Sequence, residues 1–503
     1  VYFADKGENE ALLPYPQKFL SAKAIENKAL RHTAIDRADL PVSANYLMAL
    51  RDLGLEVKMK SRWFNYALVQ GQEVYAKVEH LPFVVRVEEA PKYSVKFAGE
   101  GTKTTANITY GEAANQIEML NGDYLHDRNL LGQGMTIAVL DGGYSGADLI
   151  DGLDTLRTSG RLQGTYNFVT RDTNIYQIGN HGTDVTSIMA GYVDSAFVGT
   201  AVRANYWLLQ SEDQLSETTA EMDNWVAAAE FADSVGADII TTSLGYNTFD
   251  GGVGDLAYAD MDGNTAIVTR AADMAAKKGL LVVASAGNEG NSAWKHILAP
   301  ADGDSVLTIG GVDEFRSYAS FASQGPTADG RIKPTVSARA QGTAFLGISV
   351  RRGNGTSFSC PLVAGLAACL WQQYPTKTNM EIYEAIRSTA SHVFAPNNQI
   401  GYGVANFAGA SWALSQPENK VDRSKFQVFP NPVDDEININ LNGFTGSSAV
   451  SVIVFDMAGN TIGTHIFEPD GSQQLEMAAP QQKGTYLLSI RIGDQVYLHK
   501  IVK

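Results

Sequence analysis

Asp141, His181 and Ser357 follow one another in that order, 40 and then 176 residues apart. Brought together by a fold, these residue types could do nucleophilic chemistry. A serine hydroxyl is a poor nucleophile until a neighbouring base takes its proton, and imidazole titrates in the range that suits the task. A carboxylate beside the imidazole would fix its orientation and steady the imidazolium that forms. Each residue also has a plainer reading. Asp141, in Asp141-Gly142-Gly143, is good turn chemistry at a strand end. His181, in Asn180-His181-Gly182-Thr183, is one of eight histidines, most of which must be ordinary. Ser357, in Gly355-Thr356-Ser357-Phe358-Ser359-Cys360-Pro361, is well placed simply to cap a helix.

The elements around them favour the chemical reading. Met135–Leu140, Ile239–Thr242 and Leu280–Ser285 are apolar or β-branched runs, as expected of strands buried on both faces. Helical stretches, Glu221–Ser234 and Thr265–Lys278, lie between them, which is the pattern of a parallel sheet with helical crossovers. Asp141 then sits at the carboxyl end of a strand, where such sheets present their ligands and reactive groups. His181 precedes the helical run Asp184–Ala190. Ser357 opens an apolar helix whose first turn is expected to hold Pro361, and a helix N-terminus favours developing negative charge.

Either side of this region the rhythm differs. Ser43 can cap a helix with the apolar face Tyr46, Leu47, Leu50 and Leu53, ended by Gly54. Strand-like runs at Leu55–Met59 and Trp63–Val69, a helix-like Gln72–His80 and a strand at Phe83–Val87 complete a split βαβ, ferredoxin-like α+β module. The opening Val1-Tyr2-Phe3 reads as a strand already under way, consistent with a leader removed or omitted. Ser415–Ser424 is polar and reads as a linker. Beyond it Ile437–Leu441, Val450–Phe455, Tyr486–Ile492 and Val496–Val502 alternate as the strands of a small all-β sandwich.

Composition narrows the function classes. The 503 residues are 44% apolar and 19% charged, so a packed core is affordable and a disordered chain is excluded. The net charge of −16 argues against nucleic acid as a partner. No apolar run reaches the roughly 18–20 residues of a membrane span. Cys360 and Cys369 share one predicted helix, about 13 Å apart, so they are expected as buried thiols and not a disulfide.

Taken together, the motifs resemble the subtilisin-like serine proteases. Ile137-Ala138-Val139-Leu140-Asp141-Gly142-Gly143, His181-Gly182-Thr183 and Gly355 to Pro361, continuing to Ala364-Gly365, carry the match, in the order Asp, His, Ser that marks this class. The resemblance implies a secreted endopeptidase working through an acyl-enzyme. Asp141, His181 and Ser357 would be its triad, and Asn288, in Ala286-Gly287-Asn288, the side-chain donor to the oxyanion. Ser243-Leu244-Gly245, with Gly287, would bind substrate as an added strand. Leu298-Ala299-Pro300 lies by position at the primary specificity pocket, implying a small or apolar side chain there. Gly401-Tyr402-Gly403-Val404-Ala405-Asn406 resembles the stretch that closes such domains. Asp184 stands where many relatives have a second histidine; it is expected to face away from the serine while perturbing His181.

The flanks resemble known companions of this family. The N-terminal module is similar to inhibitor-like propeptides, which implies a self-processing zymogen cut between Glu89 and Leu130. The C-terminal tail is similar to the sorting domain of type IX (Por) secretion in Bacteroidetes. Phe429-Pro430-Asn431-Pro432, Val454-Phe455-Asp456-Met457-Ala458-Gly459, Lys483-Gly484-Thr485-Tyr486 and the terminal Lys500-Ile501-Val502-Lys503 carry that likeness. It implies export to the cell surface or beyond, with the secretion machinery as a partner. The expected domains are a propeptide over 1–92, a peptidase over 93–413, a linker over 414–424 and a sorting sandwich over 425–503. No cofactor is expected. Asp260-Met261-Asp262-Gly263-Asn264 could hold a structural calcium or be plain turn-and-cap chemistry. The rival readings are a catalytically silent surface binding protein on the same fold, and a general esterase.

Overall fold

The strand runs around Asp141 are apolar in both of their alternating sets, so they need cover on both faces, and the computed structural model supplies it. Seven parallel strands form one sheet in the order Val336–Arg339, Leu307–Val312, Leu281–Ser285, Ile239–Thr242, Thr136–Asp141, Asn205–Gln210, Leu162–Asn167. Ile137 and Val139 point into a core with the helices His181–Ala190 and Thr356–Gln373. Ala138 and Leu140 point into a second core with Thr219–Val235 and Ile267–Lys277. From Thr136–Asp141 the chain builds to one side of the sheet and then crosses to the other with Ile239–Thr242. The crevice at that reversal, outside the carboxyl ends of the two strands, is where open α/β sheets hold their ligands.

The structure describes all residues except 89–109, 416–426, 431, 434, 442–449, 456–460, 468–473 and 493–494. By internal contacts the chain divides into Val1–Leu414 and Ser415–Lys503. Most of the expected linker lies outside the described residues. So do residues 89–109, where the propeptide was expected to approach the active site, and parts of two tail motifs.

Within the first unit the N-terminal module is a four-stranded antiparallel sheet in the order Glu56–Ser61, Tyr66–Gln70, Tyr2–Phe3, Val84–Arg86, with the helices Ala44–Asp52 and Val74–Val78. Ser43 caps the first of these, its Oγ accepting from Tyr46 N at 3.2 Å. Sequence reasoning named no element between Phe3 and Ser43, yet a helix runs over Ala22–Leu30. Its buried contacts include charge: Lys28 meets Asp233 at 2.6 Å and, just beyond the helix, Arg31 meets Asp238 at 2.6 Å.

In the second unit, antiparallel sheets of three and four strands share one core that includes Ile437, Ile439, Val452, Leu488 and Ile490. Gln427–Phe429, Thr461–Phe467 and Gln474–Ala478 are strands the sequence reading did not name. The first is only three residues long and the second is interrupted by polar residues and a glycine, so their alternation is faint, whereas Gln474–Ala478 alternates plainly and was passed over.

Candidate active site

Asp141 is the last residue of its strand and fully buried. Its Oδ1 accepts from Gly142 N at 2.7 Å and lies 2.8 Å from His181 Nδ1. Gly143, at φ +156°, lets the turn after Asp141 press against the loop carrying His181; a Cβ there would meet Ile178 O at 2.1 Å. Gly182 N closes this contact by donating to Gly143 O at 2.9 Å. His181 itself begins the helix His181–Ala190 and keeps 39% of its side chain exposed, so the ring is held on one edge and open on the other.

Burial lowers the His181 pKa, but the Asp141 charge and hydrogen bond, joined by the Asp184 charge, outweigh it and the net shift is upward. Asp184 is buried one turn along the helix, where its Oδ2 accepts from Asn180 Nδ2 at 3.1 Å. Burial pushes its own carboxyl up to about 7.

Ser357 is the second residue of Thr356–Gln373. Gly355, at φ +153°, makes the sharp entry to this helix that a side chain would resist. The helix starts early enough that Pro361 falls in its second turn, not the expected first. Proline has no N–H, so the Ser357 carbonyl loses its partner four residues on. Ser243 Oγ replaces that partner, donating to Ser357 O at 2.9 Å. Ser357 Oγ in turn lies 3.4 Å from Ser243 O, a long contact that leaves the hydroxyl free to turn. Two residues from sequence-distant segments are thereby locked together beside the strand Ile239–Thr242.

Asn288 is tied to the same helix end. Its Oδ1 accepts from Thr356 N at 2.8 Å and lies 3.0 Å from Thr356 Oγ1. With the oxygen so committed, the donors that remain are on Nδ2, in a side chain that is exposed. Thr356 Oγ1 also contacts Gly287 O at 3.0 Å, so one fully buried threonine fastens Ala286-Gly287-Asn288 to the serine's helix. Sequence reasoning quoted Thr356 only as part of a motif and gave it no task. Cys360 and Cys369 are buried free thiols, as expected; burial pushes Cys360 up to about 12.

A cavity of about 340 Å³ opens beside the pair, lined by Asp141, His181 and Leu244 and by Glu212, Glu217 and Glu221. The three glutamates bring carboxylate oxygens within 4.8 Å of one another. Burial, then neighbouring carboxylates, holds all three above the usual carboxylate range. Sequence reasoning gave these residues no role, and acidic residues around a helix start carry no signal distinct from capping. Glu221 does cap the helix Thr219–Val235, accepting from Thr218 N at 2.9 Å. In the stretch proposed for calcium, Asp262 accepts from Asn264 N and Thr265 N, both at 2.8 Å, and from Thr265 Oγ1 at 3.0 Å. These are turn-and-cap bonds.

Comparison with known proteins adds the following. The family model described as the subtilase family matches residues 132–403. A peptidase S8 propeptide domain of Bacteroidota matches residues 1–107, and a secretion-system C-terminal sorting domain matches 427–503. Subtilisin E of Bacillus subtilis (strain 168) is 31% identical over 301 residues, covering 59% of this chain and 69% of that protein. Subtilisin of Bacillus pumilus is 30% identical over 308 residues, covering 61% and 99%. A crystal structure of MycP1 with the N-terminal propeptide removed aligns at 21% identity with a TM-score of 0.48, covering 61% and 99%.

Proposed function

Since the chain belongs to the subtilase family of serine endopeptidases, we propose that it hydrolyses peptide bonds through Ser357, His181 and Asp141, as a self-processing zymogen. The observation that carries this reading is the buried Asp141 carboxylate 2.8 Å from His181 Nδ1. That contact fixes the tautomer with Nε2 unprotonated and available as a base. Ser357 loses its proton to His181 as Oγ attacks the scissile carbonyl. The resulting oxyanion takes hydrogen bonds from Asn288 Nδ2 and from Ser357 N–H at the helix start. Collapse expels the amine, which receives the proton from His181, and leaves an acyl-enzyme. Water then repeats the sequence and restores the hydroxyl. Ser243-Leu244-Gly245 and Gly287 hold the substrate backbone alongside. No step is assigned to a metal or other cofactor.

The N-terminal module is the chain's own propeptide, and its buried ion pairs with the peptidase support its acting as an intramolecular inhibitor. The tail directs the protein through type IX secretion to the cell surface or the medium. Among the described residues, no helix is long and apolar enough to cross a membrane.

The test is processing itself. Wild type should be cut between residues 89 and 130, while Ser357→Ala remains a single chain. A wild-type chain that stays intact, or a Ser357→Ala chain cut at the same point in the absence of other proteases, would contradict the reading.

A further inference from the structure

Leu298 sits against both backbone segments that flank Ser357. Its N–H donates to Ala286 O at 3.2 Å, and its neighbour Ala299 pairs antiparallel with Tyr246. The backbone around Leu298 thus bridges Ala286-Gly287-Asn288 and Ser243-Leu244-Gly245. The side chain fills the gap between them. A Cβ added at Gly245 would lie 2.7 Å from Leu298 Cδ1 and 2.9 Å from its Cβ. One added at Gly287 would lie 2.9 Å from Leu298 Cγ and 3.0 Å from Cδ1. The two glycine faces that would otherwise border an open slot are therefore covered by one leucine. With 8% of its surface exposed, the leucine forms the bottom of whatever space remains.

A peptide whose carbonyl carbon meets Ser357 Oγ, with its oxygen towards Asn288 Nδ2 and its backbone along Ser243-Leu244-Gly245, has little choice of direction for the adjoining side chain. That side chain enters between Gly245 and Gly287. We propose that Leu298 sets the size limit of the primary specificity pocket, so that the residue supplying the scissile carbonyl is glycine, alanine or serine. Leucine, phenylalanine and the long basic residues are excluded by overlap with a side chain that is itself packed on two sides. The inference rests on the assignment of Ser357 and of the 243–245 segment made above.

Internally quenched peptides that differ only at the residue before the cut would test it, with the full chain after self-processing as enzyme. Wild type should favour alanine over phenylalanine or leucine by about 100-fold in kcat/KM. Leu298→Gly should raise the ratio of kcat/KM for the phenylalanine peptide to that for alanine at least about tenfold. Leu298→Ala, a milder change, should fall between the two, and fluorophosphonate labelling of each variant reports an intact site. Equal cleavage after alanine and phenylalanine by wild type, or an unchanged ratio in labelled Leu298→Gly, would overturn the size limit alone. Peptide hydrolysis that survives Ser357→Ala would overturn the assignment of the site on which it rests.

Discussion

At His181 two carboxylates act in the same direction: Asp141 through a direct bond and Asp184 through space. Both stabilise the imidazolium, so both raise the pH below which the base is protonated and idle. Removing the Asp184 charge therefore lowers the His181 pKa. Asp184→Asn should move the acid limb of the kcat/KM profile to lower pH while leaving the plateau close to wild type. A limb that stays in place would show that Asp184 is electrostatically silent. On the proposed role of Asn288 as an oxyanion donor, Asn288→Ala should lower kcat by about 10²–10³, the loss known for one such donor in a subtilisin, with KM little changed. An equal loss in binding would point to a structural role. Asp141, His181, Ser357 and Asn288 could be proposed from the sequence because each lies in a short local motif. The Ser243 hydroxyl bond to the carbonyl that Pro361 leaves free was not legible, because its partners are 114 residues apart. Leu298 was placed by position at the primary specificity pocket, but its packing against Gly245 and Gly287 is a three-dimensional contact that no local motif carries.

At the scale of elements, the propeptide is held by more than its sheet. Glu230, on the helix Thr219–Val235, accepts from Arg62 N at 2.8 Å and Trp63 N at 3.0 Å, capping the turn between two propeptide strands. The helix Ala22–Leu30 adds the Lys28–Asp233 pair, and Lys278 of the peptidase meets Asp39 at 2.7 Å. These side chains are almost fully buried and form a network, because Asp233 also meets Arg62 at 2.6 Å and Asp39 also meets Lys28 at 3.6 Å; deleting one member therefore costs less than the about 3–5 kcal/mol of a fully stranded charge. Lys28→Met in a separately supplied propeptide should weaken inhibition of the processed enzyme at least about tenfold; an unchanged inhibition constant would place the binding energy elsewhere. The same contact region carries a pH dependence. Burial pushes Asp223, which accepts from the Tyr66 hydroxyl, up to about 6. A carboxyl whose pKa rises on docking takes up a proton, so docking is favoured at low pH and weakens as pH rises through about 6. Inhibition measured between pH 4 and 8 should show that slope, and Asp223→Asn should flatten it. The strands and helices of this module announced themselves by alternation, capping and glycine. The helix Ala22–Leu30 did not, because its docking face is charged and hydrophobic periodicity is blind to such a face.

For the whole molecule, the two units have separate cores. Among the described residues, the core that includes Val428 and Ile501 contains none of the first unit, and the three cores of the first unit contain none of the tail. A chain ending at Leu414 should accordingly keep wild-type kcat/KM and unfold at the same temperature, yet remain inside a type IX-secreting host. Activity in the medium from the shortened chain would remove the sorting role from the tail. The central claim concerns one hydroxyl, and the most direct measurement is intact mass after exposure to a fluorophosphonate, with Ser357→Ala alongside. A single adduct on the processed wild type, absent from the variant, is the predicted result. No adduct on wild type, even after another protease has clipped away the N-terminal module, would contradict it and make this a binding protein on a peptidase fold.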